Sequence, residues 1–100
     1  MSLPMNWRKV VRDMIVECIK RDGVPIFRTR YGGVMLCRGN VCRVIMVCWG
    51  GGRGSGGHVY VPRWLAEELD KRRGDFLYLA NILGIDMSKL LKEIRERGSV

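Results

Sequence analysis

One hundred residues and 11.5 kDa suffice for one domain and fall short of two. A composition 47% hydrophobic and 28% charged excludes a disordered chain. The longest unbroken apolar run, Val44 to Trp49, is too short to cross a bilayer, so no membrane partner is expected. Near the N-terminus Arg8, Lys9, Arg12 and Asp13 interrupt the apolar residues, leaving no signal-peptide core. These features point to a cytoplasmic protein. Eighteen Lys and Arg against ten Asp and Glu give a net charge of +8, which favours a polyanionic partner, nucleic acid first.

The elements follow in chain order. Trp7, Val10, Val11, Met14, Ile15, Cys18 and Ile19 recur at the spacing of one helix face, between Asn6 as N-cap and Gly23 as stop, which predicts a helix over 7–22. From Val24 to Val61 the period changes to two among β-branched residues and glycine turns. Four strands are predicted there, over 24–30, 34–38, 41–49 and 58–62. Pro62 opens a helix over 63–73 that Gly74 ends. Asp75 caps a short apolar helix reaching Leu83, closed by Gly84. Asp86 caps a last helix whose stripe is Met87, Leu90, Leu91 and Ile94. The fold class is therefore α+β: one domain over 1–100, with an N-terminal helix, a four-stranded antiparallel sheet and three C-terminal helices on one face of it.

Strand register decides which residues share a face. Gly39-Asn40 suits a two-residue turn with glycine first, placing Cys37 opposite Cys42, Leu36 opposite Arg43 and Val34 opposite Ile45. One face of that hairpin is then all apolar, and the other mixes Arg38, Arg43 and Trp49 with aliphatic residues. For the first strand, a two-residue Gly32-Gly33 turn sends Arg28 and Arg30 to the apolar face, where unpaired charge is expensive. A three-residue turn, Tyr31 to Gly33, avoids that and sets both arginines beside Arg38, Arg43 and Trp49. It is the expected register. In the last strand Val59 and Val61 point to the core, His58 and Tyr60 to the mixed face.

Charge is concentrated on the same strands. From Gly23 to Arg63 there are six arginines and no lysine or acidic residue, whereas Trp64 to Val100 holds seven basic and seven acidic residues. Guanidinium groups fork onto phosphate and stack on bases. Arg28, Arg30, Arg38 and Arg43 beside Trp49 and Tyr60, with Tyr31 near by, suit single-stranded DNA or RNA, whose bases stack on the rings. Trp49 and Tyr60 have a plainer reading as rim residues over a core edge. The glycine-rich stretch 50–57 contains G-x-G-x-x-G, but strand follows it where a dinucleotide fingerprint needs a helix. What survives is a loop that can bring Arg53 and its amides to a backbone, or simply a long hairpin loop.

Cysteines 18, 37, 42 and 48 contain no C-x-x-C pair and one histidine offers little help, so no metal or cofactor is expected. Reduced thiols are the default in a cytosol. Hyperthermophiles are the exception, and the chain has no glutamine. If a disulfide forms, the register nominates Cys37 with Cys42 alone, and a Cys18–Cys48 bridge would count against that register. No nucleophile–base pair or paired carboxylates stand out, so an enzyme is not expected.

Two other readings stay open. Leu79, Ala80, Leu83, Gly84, Ile85 and Leu90 follow a helix-turn-helix pattern over 76–97, with the last helix as duplex reader, although Lys89, Lys92, Glu93, Arg95, Glu96 and Arg97 give it alternating charge. An accessory protein-interaction subunit is the other. A homodimer through helix 7–22 is expected, because that helix has apolar stripe to spare. The order helix, four antiparallel strands, helices resembles the single-stranded-DNA-binding domain of the ThermoDBP family of thermophilic archaea. The resemblance rests on the Trp7–Cys18 helix, the arginine-bearing strands and the Val59–Leu91 segment. It implies a basic, partly apolar cleft on the sheet that binds single strands, frequent oligomers, and Arg28, Arg30, Arg43 and Trp49 as the matching positions.

Overall fold

The structure is a computed structural model and describes residues 3–50 and 56–98. It is α+β. Helix α1 (Trp7–Lys20) leads into strands β1 (Val24–Arg28), β2 (Arg30–Tyr31), β3 (Val34–Arg38), β4 (Val41–Trp49) and β5 (Gly56–Pro62). Helices α2 (Arg63–Lys71), α3 (Phe76–Ile82) and α4 (Met87–Gly98) follow. All strand pairings are antiparallel, and β4 is the spine of the sheet. β5 runs along one edge of β4. β3 and β1 share the other edge, β3 opposite residues 41–43 and β1 opposite residues 45–49.

Pleating puts Cys42, Val44, Met46 and Cys48 of β4 on one face, with Val59 and Val61 of β5 and Phe27 of β1, all buried. The helices lie on this face. Trp7, Val11, Ile15, Cys18 and Ile19 of α1 form one core with Leu65, Ala66 and Leu69 of α2, Leu79 of α3 and Leu90 of α4. Full burial of side chains such as Ile15 or Leu69 is worth roughly 1.5–3 kcal/mol each. The stripe of α1 is thus covered by the chain's own sheet. Val10, at 36% exposure, is the large apolar residue that this helix leaves most open to water.

The β3–β4 hairpin has the expected register around Gly39-Asn40, with Cys37 opposite Cys42 and Leu36 opposite Arg43. It is shorter than expected: Val34 faces Tyr31, and Ile45 pairs instead with Arg28 of β1. The segment 24–30 is not one strand. Thr29 breaks it, and β1 pairs with β4 while β2 pairs with β3. The intervening turn is the two-residue Gly32-Gly33, with φ of +56° and +86°, a hairpin geometry that needs left-handed backbone at both positions. The three-residue turn is therefore wrong.

Both cysteine pairs are bridged. Cys37–Cys42 joins the hairpin strands with Cα atoms 4.0 Å apart. Cys18–Cys48 joins α1 to β4 with Cα atoms 5.5 Å apart. No cysteine is free, in contrast to the cytosolic default. The second bridge is compatible with the hairpin register, contrary to expectation. Cys48 lies on the helix-covered face, and Cys18 belongs to the buried stripe of the helix that covers it.

Candidate functional site

The other face of the sheet is open. Along β4 it presents Arg43, Ile45, Val47 and Trp49. Tyr60 and His58 of β5 stand opposite Arg43 and Ile45. Arg28, Ile26 and Val24 of β1 stand opposite Ile45, Val47 and Trp49 on the other side. Leu36 of β3 is opposite Arg43. Trp49 is 69% exposed and Val24 48%, a large apolar area left in water.

The face has two halves. Val24, Ile26, Val47 and Trp49 make the apolar end, while arginine and aromatic rings make the other. Tyr31, carried over this face by the β2–β3 hairpin, stacks on His58 with ring centres 6.3 Å apart and planes 15° from parallel. The Arg43 guanidinium carbon lies 6.0 Å from the Tyr31 ring centre. Burial pushes the Tyr31 phenol above its ordinary pKa and the nearby Tyr60 adds to this, while Arg43 and Arg28 pull it back. Tyr31 Oη and Arg43 Nε are closed to solvent without a hydrogen-bond partner. Each such group costs about 1–3 kcal/mol. Among the described residues no carboxylate pairs with Arg28, Arg38 or Arg43.

Arg30 does not belong to this cluster. Alternation slips by one residue at Thr29, so Thr29 and Arg30 both reach Asp70 of α2. Arg30 Nε and Nη2 donate to the two carboxylate oxygens at 2.9 and 3.0 Å, and Thr29 Oγ1 donates to the same group at 2.8 Å. Arg30 Nη1 also donates to the Gly33 carbonyl at 2.8 Å. The charge is tolerated on the helix side because Asp70 neutralises it, a partner 40 residues away. Arg30 and Thr29 in turn hold the Asp70 carboxyl below its usual range.

Of the other expected residues, Arg28, Arg43, Trp49 and Tyr60 share the open face, and Arg38 sits exposed at its turn end. Arg53 lies outside the described residues. Tyr31 as a central member and His58 as its stacking partner come from the fold. The signal that finds them is the Gly32-Gly33 dipeptide, which sets Tyr31 opposite Val34 on the side of Leu36.

The segment with the helix-turn-helix pattern forms α3 and α4, with Leu79, Ala80 and Leu90 buried. Among the described residues no cluster of three His, Cys, Asp or Glu could hold a metal ion, and no helix is long and apolar enough to cross a membrane. Comparison with protein-family models, curated proteins and solved structures found no match.

Proposed function

We propose that this chain binds single-stranded nucleic acid, DNA or RNA, on the open face of its sheet. The observation that carries the reading is Arg28 and Arg43 beside the stacked rings of Tyr31 and His58, with Arg38 at the turn end of the same face, none of the three paired with a carboxylate among the described residues. Phosphates meet the guanidinium groups, and unpaired bases stack on the rings. A duplex hides its base faces and gains nothing from such rings. The absence of any acidic residue from Gly23 to Arg63 keeps repulsion off the strands. Trp49 stands six positions along β4 from Arg43, about 20 Å at strand rise. A strand lying along β4 therefore covers several nucleotides, in keeping with sites of roughly 4–16 nucleotides on other sheet platforms. The order of elements resembles that of the ThermoDBP family, which implies the same reading. No metal or cofactor enters it.

The test is fluorescence anisotropy with single-stranded DNA, single-stranded RNA and duplex of one sequence at two salt concentrations. Single strands are expected to bind more tightly than duplex, and the variant Arg28→Ala/Arg43→Ala to bind weakly. Absence of binding to every strand at low salt overturns the reading. A preference for duplex overturns it in favour of α3 and α4.

A further inference from the structure

Two rings on the open face already form a platform. Tyr31 and His58 come from opposite edges of the sheet, Tyr31 from the β2–β3 hairpin and His58 from β5, yet their planes lie within 15° of parallel. Ring packing that served only to shield Ile45, the residue of β4 opposite His58, would bury both partners. Here Tyr31 is half-buried and His58 remains exposed, so the stack is open to water at the histidine. Arg43 adjoins it, with a guanidinium that pairs with no carboxylate among the described residues. Burial pushes the Tyr31 phenol above its ordinary pKa, so the ring brings no negative charge near a phosphate at neutral pH.

We infer that Tyr31 and His58 form a base-stacking subsite of this face and that Arg43 takes the adjoining phosphate, so that the ligand is a strand with unpaired bases and not a polyanion at large. The inference rests on the single-strand reading and names the side chains that meet a base.

Its test uses two fluorescent probes of equal length, an oligothymidylate and an abasic deoxyribose-phosphate strand. The wild-type protein is expected to prefer thymidylate. His58→Leu and Tyr31→Leu should each weaken thymidylate binding by about 5- to 150-fold, the range for loss of one stacked base, with abasic binding nearly unchanged. Tyr31→Phe keeps the ring and should stay close to wild type. Arg43→Ala should weaken both probes. Thermal melts establish that each variant is folded, and His58→Leu, at an exposed position, tests the subsite even if Tyr31→Leu unfolds the hairpin.

If the leucine variants keep the wild-type ratio between the probes, the subsite is elsewhere while the single-strand reading stands. Equal wild-type affinity for both probes makes the ligand a general polyanion and overturns the inference. Binding to neither probe overturns the single-strand reading itself.

Discussion

At residue scale, α1 and α2 end on side chains in a conformation usually left to glycine. Asp22 has φ of +66° and Arg73 of +55°. Each helix closes with two reverse hydrogen bonds: Asp22 and Gly23 donate to Ile19 and Cys18, Arg73 and Gly74 to Asp70 and Leu69. The expected stops, Gly23 and Gly74, sit one position further on, and Gly74 is left-handed too, with φ of +78°. Left-handed backbone costs an L-residue roughly 1–2 kcal/mol, and aspartate tolerates it better than arginine. Arg73→Gly should therefore raise unfolding free energy by about 1 kcal/mol in urea titration, and Asp22→Gly by less. Gly74→Ala should do the opposite, because a Cβ there is driven into the Phe27 carbonyl oxygen. A loss exceeding about 2 kcal/mol is expected, from backbone strain and overpacking together. Asp70 adds a pH dependence. Its carboxyl titrates below the unfolded value because Arg30 and then Thr29 bond the charged form. The stabilisation is present above about pH 4 and is lost as pH falls through the lower folded pKa. Asp70→Asn should thus lower stability at neutral pH, and the gap to wild type should narrow in acid. An unchanged gap at pH 2 to 3 would contradict this linkage.

At element scale, the two disulfides brace different things. Cys18–Cys48 closes a loop with a sequence separation of 30 and ties α1 across the sheet, while Cys37–Cys42 closes a separation of 5 within one hairpin. Loop-closure entropy assigns about 3.5 kcal/mol to the first and about 2 kcal/mol to the second. Cys18→Ser/Cys48→Ser should accordingly lower the urea midpoint more than Cys37→Ser/Cys42→Ser, and equal losses would count against the chain-entropy account. The contrast also marks how far the fold is legible in the residues. The helices follow from their apolar spacing, and the β3–β4 register follows from Gly39-Asn40, because both signals are local. Cys37–Cys42 comes with that register. Cys18–Cys48 does not, since it depends on how α1 lies across β4. The first strand fails for the same reason. An unpaired Arg30 on the helix side is costly, but Asp70, far along the chain, removes the penalty. With the turn corrected, Arg30 leaves the candidate site and Tyr31 moves to its centre.

At the scale of the whole molecule, sign of charge is sorted by layer. Every described acidic residue lies in a helix or at a helix end, so the helical layer carries its own counterions, as in Lys9–Asp13, Arg72–Glu68 and Lys71–Glu68. The strands have arginines only, and three of them, Arg28, Arg38 and Arg43, stand on the open face with no carboxylate partner among the described residues. On the proposed reading a polyanion is drawn to that face, and the attraction falls with salt. Each phosphate contact to a single strand adds about 0.7 to the slope of log affinity against log salt. Replacing Arg28, Arg38 and Arg43 together by Ala should flatten the slope by roughly 2 units. Trp49→Ala should cost on the order of 1–3 kcal/mol with the slope almost unchanged, because stacking releases no ions. Arg30→Ala is the internal control: its charge is already neutralised by Asp70, so it should lower stability and leave the slope near wild type. Lys89→Ala/Lys92→Ala should also leave the slope nearly intact, since α4 interleaves both signs. Anisotropy titrations at four or five salt concentrations measure all of these slopes. Should the α4 pair flatten the slope while the sheet triple leaves it steep, phosphate is held by the helices and the open face is not the binding surface.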